Sequence, residues 1–423
     1  MAMDLPAVAL LKYFHGKESR MEKKKLLILR ATYFASETPG NVRIRNFAKY
    51  LAEAGYDVTV AMLAKGVKDE KAPARQDGYS LSLAYIPIWF NLFARFFDYG
   101  VWRFLGYPHN WCLKSRILLR HVAKNFKRGD ADLVIVSVPQ PGSLPVARVI
   151  AKRLGVPWVV DFRDIPDELD VGHKKAITRR EFSYTVEQCR DAAFAVTVSK
   201  PLKTALLERY GLKDVELVYN GYEGTYRGGS DGILRTKNFD ILYTGVFVGG
   251  RDPELLLCAL DLLQEQGFDL NGVRFIFVGI SPETAQRFES HKCYALVLAL
   301  GKRSRAECLR LQREAGLLVS LASPGCAGIL TSKVFDYANA SRPVISVPCD
   351  HDALDEFIKN AGIGASFDDA KEVAEYLKEQ ILAWRNGMPA VGYTPNCRYL
   401  ESFSRKNQTA RFAEMISQRF FKN

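Results

Sequence analysis

The chain has 423 residues, 48% of them hydrophobic and 25% charged, with a formal net charge of +12. That length exceeds one ordinary core and predicts more than one domain, and the composition excludes a disordered or fibrous polymer. The longest apolar runs, such as Tyr294–Leu300, fall far short of the roughly 18 residues that suggest a membrane span, while the positive excess favours anionic partners: nucleic acid, acidic lipid headgroups or a phosphorylated substrate.

The first residues pass through an apolar AVALL to Lys12 with no charged segment ahead. No secretory signal is expected, and together with the scattered cysteines this reads as a cytoplasmic location, with peripheral binding at the inner face of the cytoplasmic membrane as an alternative. Residues 1–24 read as an extension, and a first α/β domain spans 25–222. Leu26–Leu29 is apolar throughout, as a strand buried on both faces should be. The spacing of Ile44, Phe47, Ala48 and Leu51 predicts a helix over 42–54, capped at Gly55 and followed by a strand at 58–62. Further strands are expected at 133–138, 158–161, 194–198 and 217–219, with helices at 144–154 and 202–210.

Between the early strands lies a distinct segment, Trp89–Arg128, rich in aromatics (Trp89, Phe93, Phe96, Phe104, Trp111) and in bases (Arg95, Lys114, Arg116, Arg120, Lys124). Rings and cations together suit an anionic bilayer surface. A helical hairpin packed on its own domain with a basic outer face explains them equally. No nucleic-acid-binding module is recognisable, and no nucleic-acid partner is expected.

The glycine-rich stretch 223–238 reads as a linker. A second α/β series occupies 239–390, with strands at 241–243, 275–278, 317–321 and 344–347 and helices at 253–266, 305–315, 332–340, 353–360 and 371–384; residues 391–423 are helix-compatible. Two Rossmann-like units in tandem leave a cleft, and ligands of open α/β sheets bind at the carboxyl ends of strands.

Several loops at such ends carry candidate chemistry. Pro39-Gly40-Asn41 precedes a helix start, where free N–H groups favour an anion; it is equally an ordinary turn, and Arg43 and Arg45 beside it are either ligand-facing or solvated. Asp161, Arg163 and Asp164 end a buried strand, facing an acceptor or forming a structural Asp–Arg pair. In the second domain Gly245, then Gly249 and Gly250, lead to Arg251 just before a helix, which suits a diphosphate. Ile329, Leu330, Thr331 and Ser332 meet another helix start. Lys333 lies in its first turn, where a cation opposes the helix dipole and makes sense beside a phosphate. Asp336, one turn on, could hold ribose hydroxyls. Asp350 and Asp352 form a D-x-D pair whose simpler reading is helix capping. The eight cysteines and six histidines show no metal-ligand spacing. Buried thiols in a reducing compartment are expected, with Cys258 and Cys308 inside helical patterns.

The stretches TPGNVRIRNFAKYLAEAGYDVTV, VTVSKPLKTALLERYG…VYNGYE and SKVFDYANASRPVIS resemble the family 4 glycosyltransferases of the GT-B fold, bacterial surface-polysaccharide enzymes in particular, over about Lys25 to the end. The resemblance implies two Rossmann-like domains with parallel sheets facing across a cleft. It implies retaining transfer of a sugar from a nucleotide-diphosphate sugar to a cell-envelope glycan or lipid-linked acceptor, with no cofactor and no metal. By position Gly40 would face the donor phosphates, Arg251 and Lys333 would neutralise the diphosphate, Asp336 would hold the ribose, and Gly301-Lys302 would lie beside the base. The final segment would return to the first domain. One departure is visible: the family's paired glutamates lie eight positions apart, and eight before Asp336 stands Gly328. Two rival readings are a nucleotide-sugar epimerase on this fold and a non-catalytic protein binding polyanions or membrane.

Overall fold

The computed structural model describes residues 22–30, 39–65, 75–105, 113–138, 142–163, 184–226, 228, 236–247, 250–322 and 330–422. The first sheet has eight strands. Lys25–Arg30 (β1), Asp57–Lys65 (β2), Tyr79–Ile86 (β4), Leu133–Val138 (β5), Trp158–Phe162 (β6), Phe194–Thr197 (β7) and Val215–Leu217 (β8) run parallel, and Arg75–Gln76 (β3) pairs antiparallel at one edge. Their order is β3-β4-β2-β1-β5-β6-β7-β8. In β1, Leu27 and Leu29 enter one core and Leu26 and Ile28 the opposite one, because alternate residues point to opposite faces. That two-sided burial is why the run is apolar throughout.

The second sheet is wholly parallel: Phe239–Thr244 (β9), Val273–Val278 (β10), Val297–Ala299 (β11), Leu317–Ser320 (β12), Val344–Ser346 (β13) and Gly364–Ser366 (β14), in the order β11-β10-β9-β12-β13-β14. Both sheets therefore step outward one way from their first strand and then reverse. The chain crosses over between β1 and β5 in one and between β9 and β12 in the other. Ligand crevices of this fold open above such reversals.

The helix Arg405–Ile416 crosses back and packs on the first domain, with the Phe412 ring 5.1 Å from Phe47. Tyr222 OH donates to the Leu400 carbonyl at 3.1 Å, and the Arg405 N–H donates to the Tyr222 carbonyl at 2.9 Å, where the two domains join.

Four strands escape a reading of periodicity, each for a local reason: β3 is an edge strand of two residues. β4 is interrupted by Ser80 and Ser82, lies second from the edge and is only partly buried. β11 and β14 are edge strands of three residues, too short to show a pattern. β8 covers Val215–Leu217, two residues before its expected place. It is an edge strand whose Glu216 breaks the apolar run.

Candidate active site

At the reversal in the second sheet, the loops after β9, β10 and β11 are stacked on one another. The Gly245 N–H donates to the Val278 carbonyl at 2.7 Å, and the Gly279 N–H donates to that of Gly301 at 2.8 Å. Side chains are excluded by this stacking, since a Cβ on Gly279 would lie 2.5 Å from the Gly245 carbonyl oxygen. Gly279 escaped the sequence reading because nothing in one sequence marks which strand-end glycine another loop will press on. Gly301 has a φ of 65°, and the neighbouring Lys302 side chain is exposed.

Lys333 enters this pocket from the helix Ser332–Asn339. Its ammonium lies 5.1 Å from the Tyr243 ring centroid, and a Cβ on Gly245 would be 1.8 Å from its Nζ. Burial, and then the charge of Arg251, push its pKa down to about 8. Among the described residues no carboxylate pairs with Lys333. Lys333 is thus a buried cation that also feels the charge of Arg251, a situation that a phosphate would relieve. The helix start adds to this: Thr331 is its N-cap residue, yet its side chain makes no capping hydrogen bond. The Val334 N–H donates to the Thr331 carbonyl at 3.3 Å, which leaves the N–H groups of Ser332 and Lys333 for an anion.

A buried network holds the helix against β9. Tyr337 OH meets the Thr244 N–H and Oγ1, both at 3.0 Å, and Gln312 Nε2 donates to the same Oγ1 at 3.1 Å. Tyr337 is one turn beyond Lys333, so this network fixes where the ammonium points.

Asp336 is buried and takes a bidentate pair from Arg305, at 3.0 and 3.1 Å. Burial raises its pKa, and Arg305 opposes the rise. A cavity lined by Asp336, Arg305, Gln312, Asn339 and Glu223 opens on this pair, beside the linker. Arg405, at the start of the crossing helix, is buried nearby, and its pKa is pushed down to about 10 by burial against the upward pull of Asp336. Neither Arg305 nor Arg405 was foreseen, since both come from segments distant in sequence from Asp336.

The Leu330 side chain is buried in the core with Phe335, Phe357 and Phe403, so only its backbone is left to face a ligand. Ile329, Asp164 and Gly328 lie outside the described residues, as do Val248 and Gly249.

Across the cleft, Gly40 begins the helix Pro39–Glu53, and its bare Cα makes room for Arg163: a Cβ there would be 1.5 Å from Nη1. Arg163 Nε donates to the Val138 carbonyl at 3.1 Å. Arg30, at the end of β1, is buried and donates to Asn41 Oδ1 at 2.9 Å; burial and then Arg163 push its pKa down to about 10. The crevice of the first sheet is thus also cationic. Arg30 escaped notice because an arginine ending an apolar strand looks like any strand boundary.

Two acceptor-side assignments are corrected. Arg43 and Asp161 are 2% and 0% exposed and paired at 2.8 Å. Asp161 also accepts from Ser137 at 2.8 Å, while Arg43 donates to the carbonyls of Val218 and Tyr219. A fully enclosed pair has no face for an acceptor. The structural Asp–Arg pair exists, with Arg43 in place of Arg163. Asp350 of the D-x-D sequence spends its carboxylate on the N–H groups of Asp352, Leu354 and Asp355, as a helix cap does.

The aromatic segment forms two helices, Ile88–Leu105 and Leu113–Asn125. Trp89, Phe93, Phe96, Phe97, Tyr99 and Phe104 are exposed, by 45% to 81%; among the described residues, every large aromatic counted as exposed lies on the first of these helices. No helix of the described residues is long and apolar enough to cross a membrane.

Against known proteins, a family model described as Glycosyltransferase Family 4 matches residues 40–223. No curated protein matches the chain by sequence. Among solved structures, a sucrose-phosphate synthase from Thermosynechococcus elongatus is similar, with a TM-score of 0.64 at 14% identity, over 94% of this chain and 99% of that one. Anabaena Alr3699/HepE, solved with UDP and glucose, gives 0.61 at 14% identity, over 93% and 100%. WaaG, a glycosyltransferase involved in lipopolysaccharide biosynthesis, gives 0.57 at 15% identity, over 93% and 99%. At these identities the likeness establishes the fold.

Proposed function

Starting from a chain that is a family-4-like glycosyltransferase of the GT-B fold, we propose that it moves a sugar, with retention of anomeric configuration, from a nucleotide-diphosphate sugar to a glycan or lipid-linked acceptor at the cytoplasmic face of a membrane. The observation that carries the donor reading is the buried ammonium of Lys333 against Gly245, without a carboxylate partner among the described residues and pushed down in pKa by burial and then by the charge of Arg251. The diphosphate would lie between Lys333, Arg251 and the open N–H groups at the start of the Ser332–Asn339 helix. There it would be held without a metal ion, and the leaving charge would be stabilised by groups already in place. Asp336 would turn toward the ribose from its pair with Arg305, and the Gly301-Lys302 loop would flank the base. Arg163 and Gly40 would meet the donor phosphates from the other side as the domains close.

In the transfer step, the acceptor hydroxyl oxygen would bond to the anomeric carbon on the face from which the diphosphate departs. The bond from that carbon to the phosphate oxygen breaks, and the departing phosphate oxygen takes the hydroxyl proton. No protein base is required.

HepE was solved with UDP and with UDP-glucose, which makes UDP and its sugars the first ligands to try. The test is a thermal-shift series over nucleoside diphosphates, because a ligand that binds only the folded state raises the melting temperature. A rise selective for one base and absent in Lys333→Ala supports the reading; no rise with any of them overturns it.

The membrane part of the proposal rests on the exposed aromatic row of the Ile88–Leu105 helix followed by the basic Leu113–Asn125 helix. Rings of this kind settle at headgroup depth and cations draw in anionic lipid.

A further inference from the structure

On the helix Glu254–Glu265, Glu254 and Cys258 are one turn apart and share a face. Facing them, from a connection far along the chain, is His291, whose side chain is 11% exposed. Its Nδ1 lies 2.7 Å from Asp261 Oδ2, and the other oxygen of Asp261 accepts the Cys293 backbone N–H at 2.8 Å. Asp261 is therefore fixed, and it fixes the ring. Nε2 is thereby turned toward Glu254, 3.3 Å from Oε2, and Cys258 Sγ lies 3.8 Å from the same carboxylate.

From this geometry we infer that Glu254, Cys258 and His291 form a transition-metal site, of the chemistry that suits Zn²⁺, with Asp261 as its positioning residue. The three ligand atoms all lie within 4.8 Å of one another. Metal–ligand bonds of about 2.0–2.3 Å in a tetrahedron place ligand atoms about 3.3–3.7 Å apart, so the cluster needs to close by at most about 1.5 Å. The donor set is imidazole, thiolate and carboxylate, which selects a borderline metal over Ca²⁺ or Mg²⁺. A carboxylate bound to the far nitrogen of a ligating histidine is the arrangement that sets tautomer and ring direction in metal proteins. The thiolate and carboxylate together neutralise a dication, and water completes the fourth position. Burial and then Glu254 raise the pKa of the Cys258 thiol. Binding therefore replaces the S–H bond by a metal–sulfur bond and releases that proton to solvent. These side chains are distinct from those given to the donor diphosphate, and the site would pin the 3₁₀ turn Lys292–Leu296 to the helix.

Two other groupings are nearby in chemistry. Cys293 could replace Cys258 through Nδ1, but its thiol is 1% exposed and already donates to the Leu257 carbonyl. Cys349, His351 and Asp368 form a second cluster on the surface.

The experiment is titration of the reduced full-length chain with Co²⁺, a coloured substitute for Zn²⁺. The expected result is a visible ligand-field spectrum with a sulfur-to-cobalt charge-transfer band, saturating at one equivalent and displaced by Zn²⁺. Cys258→Ser should abolish the charge-transfer band, and His291→Gln should weaken binding at least about tenfold. Asp261→Asn should keep the band and weaken binding by about 10- to 100-fold, as outer-shell changes do. Cys293→Ser and Cys349→Ser should leave spectrum and affinity unchanged. No band in the wild type, or a band that survives Cys258→Ser, overturns the inference. Far-ultraviolet circular dichroism confirms that each variant is folded, and the half-exposed position of Cys258 makes serine easy to accommodate there.

Discussion

The ammonium of Lys333 occupies the space where a side chain on residue 245 would begin, with a hypothetical Cβ of Gly245 only 1.8 Å from Nζ. Gly245 also has a φ of 146°, a conformation that side chains rarely adopt. Glycine is thus required twice, once for the backbone and once for the lysine. Gly245→Ala should displace the ammonium and weaken nucleoside diphosphate binding as severely as Lys333→Ala, by tenfold or more. It should also cost about 1–3 kcal/mol of stability through backbone strain. Titration calorimetry with the diphosphate found by thermal shift, beside urea unfolding of both variants, checks this; unchanged binding in Gly245→Ala would break the link.

The pKa of Lys333, about 8, gives the site a pH signature. A diphosphate favours the charged form, so affinity should be flat below that value and fall by up to tenfold per pH unit above it. The effect on the free protein has the opposite sense. Below pH 8 the lysine is charged in both folded and unfolded chains, and its burial penalty is fully present. As pH rises from about 8 toward the ordinary lysine value of 10.5, the folded chain sheds the proton first and the penalty is relieved. Wild type should therefore gain stability relative to Lys333→Met across that window. A pH-independent difference between the two would show that Lys333 titrates normally.

Tyr337→Phe removes the hydroxyl that serves both the Thr244 N–H and its Oγ1. The buried Thr244 N–H is then left without this partner, at a cost of about 1–3 kcal/mol. Because the same network aims the helix, donor KM should rise while an equally destabilising core change elsewhere leaves KM alone. Denaturant midpoints and steady-state kinetics on the two variants separate these effects.

Asp161→Asn should destabilise the first domain by about 3–5 kcal/mol, since it leaves the Arg43 guanidinium buried against a neutral group. If Asp161 instead served an acceptor, the variant would keep its stability and lose turnover. Urea unfolding distinguishes the two outcomes directly.

Replacing Trp89, Phe96 and Phe104 together by serine should release the protein from vesicles containing acidic lipid. These rings are 70%, 78% and 81% exposed, so their removal should leave stability within about 0.5 kcal/mol. Flotation with anionic and with neutral vesicles is the measurement, and equal recovery of wild type in the soluble fraction with both would end the membrane proposal.

Much of the fold was legible because a parallel sheet covered on both faces demands apolar runs. Leu26–Leu29 and Leu133–Val138 carry that demand openly, while β4, β11 and β14, at or near a sheet edge, do not. Glycine loops before helices were legible as well, and Gly245 with Lys333 came together as their positions implied. Arg43 was misread for a physical reason: arginines on loop-proximal helices are usually exposed, and only the arrival of β6 supplies the carboxylate that permits its burial.

By itself, the sequence determined the architecture: alternating strand and helix periods, glycine breaks and short connections leave few ways to build the two sheets. It also placed Lys333 in the first turn of its helix, because local spacing sets helix position. Only the tertiary structure decided which charges meet. Arg43 finds Asp161 across 118 residues, Arg305 finds Asp336 across 31, and His291 finds Glu254 across 37. Pairing of this kind depends on the order in which strands enter a sheet and on which loop lands beside which, and those are long-range outcomes that no local pattern of residues encodes.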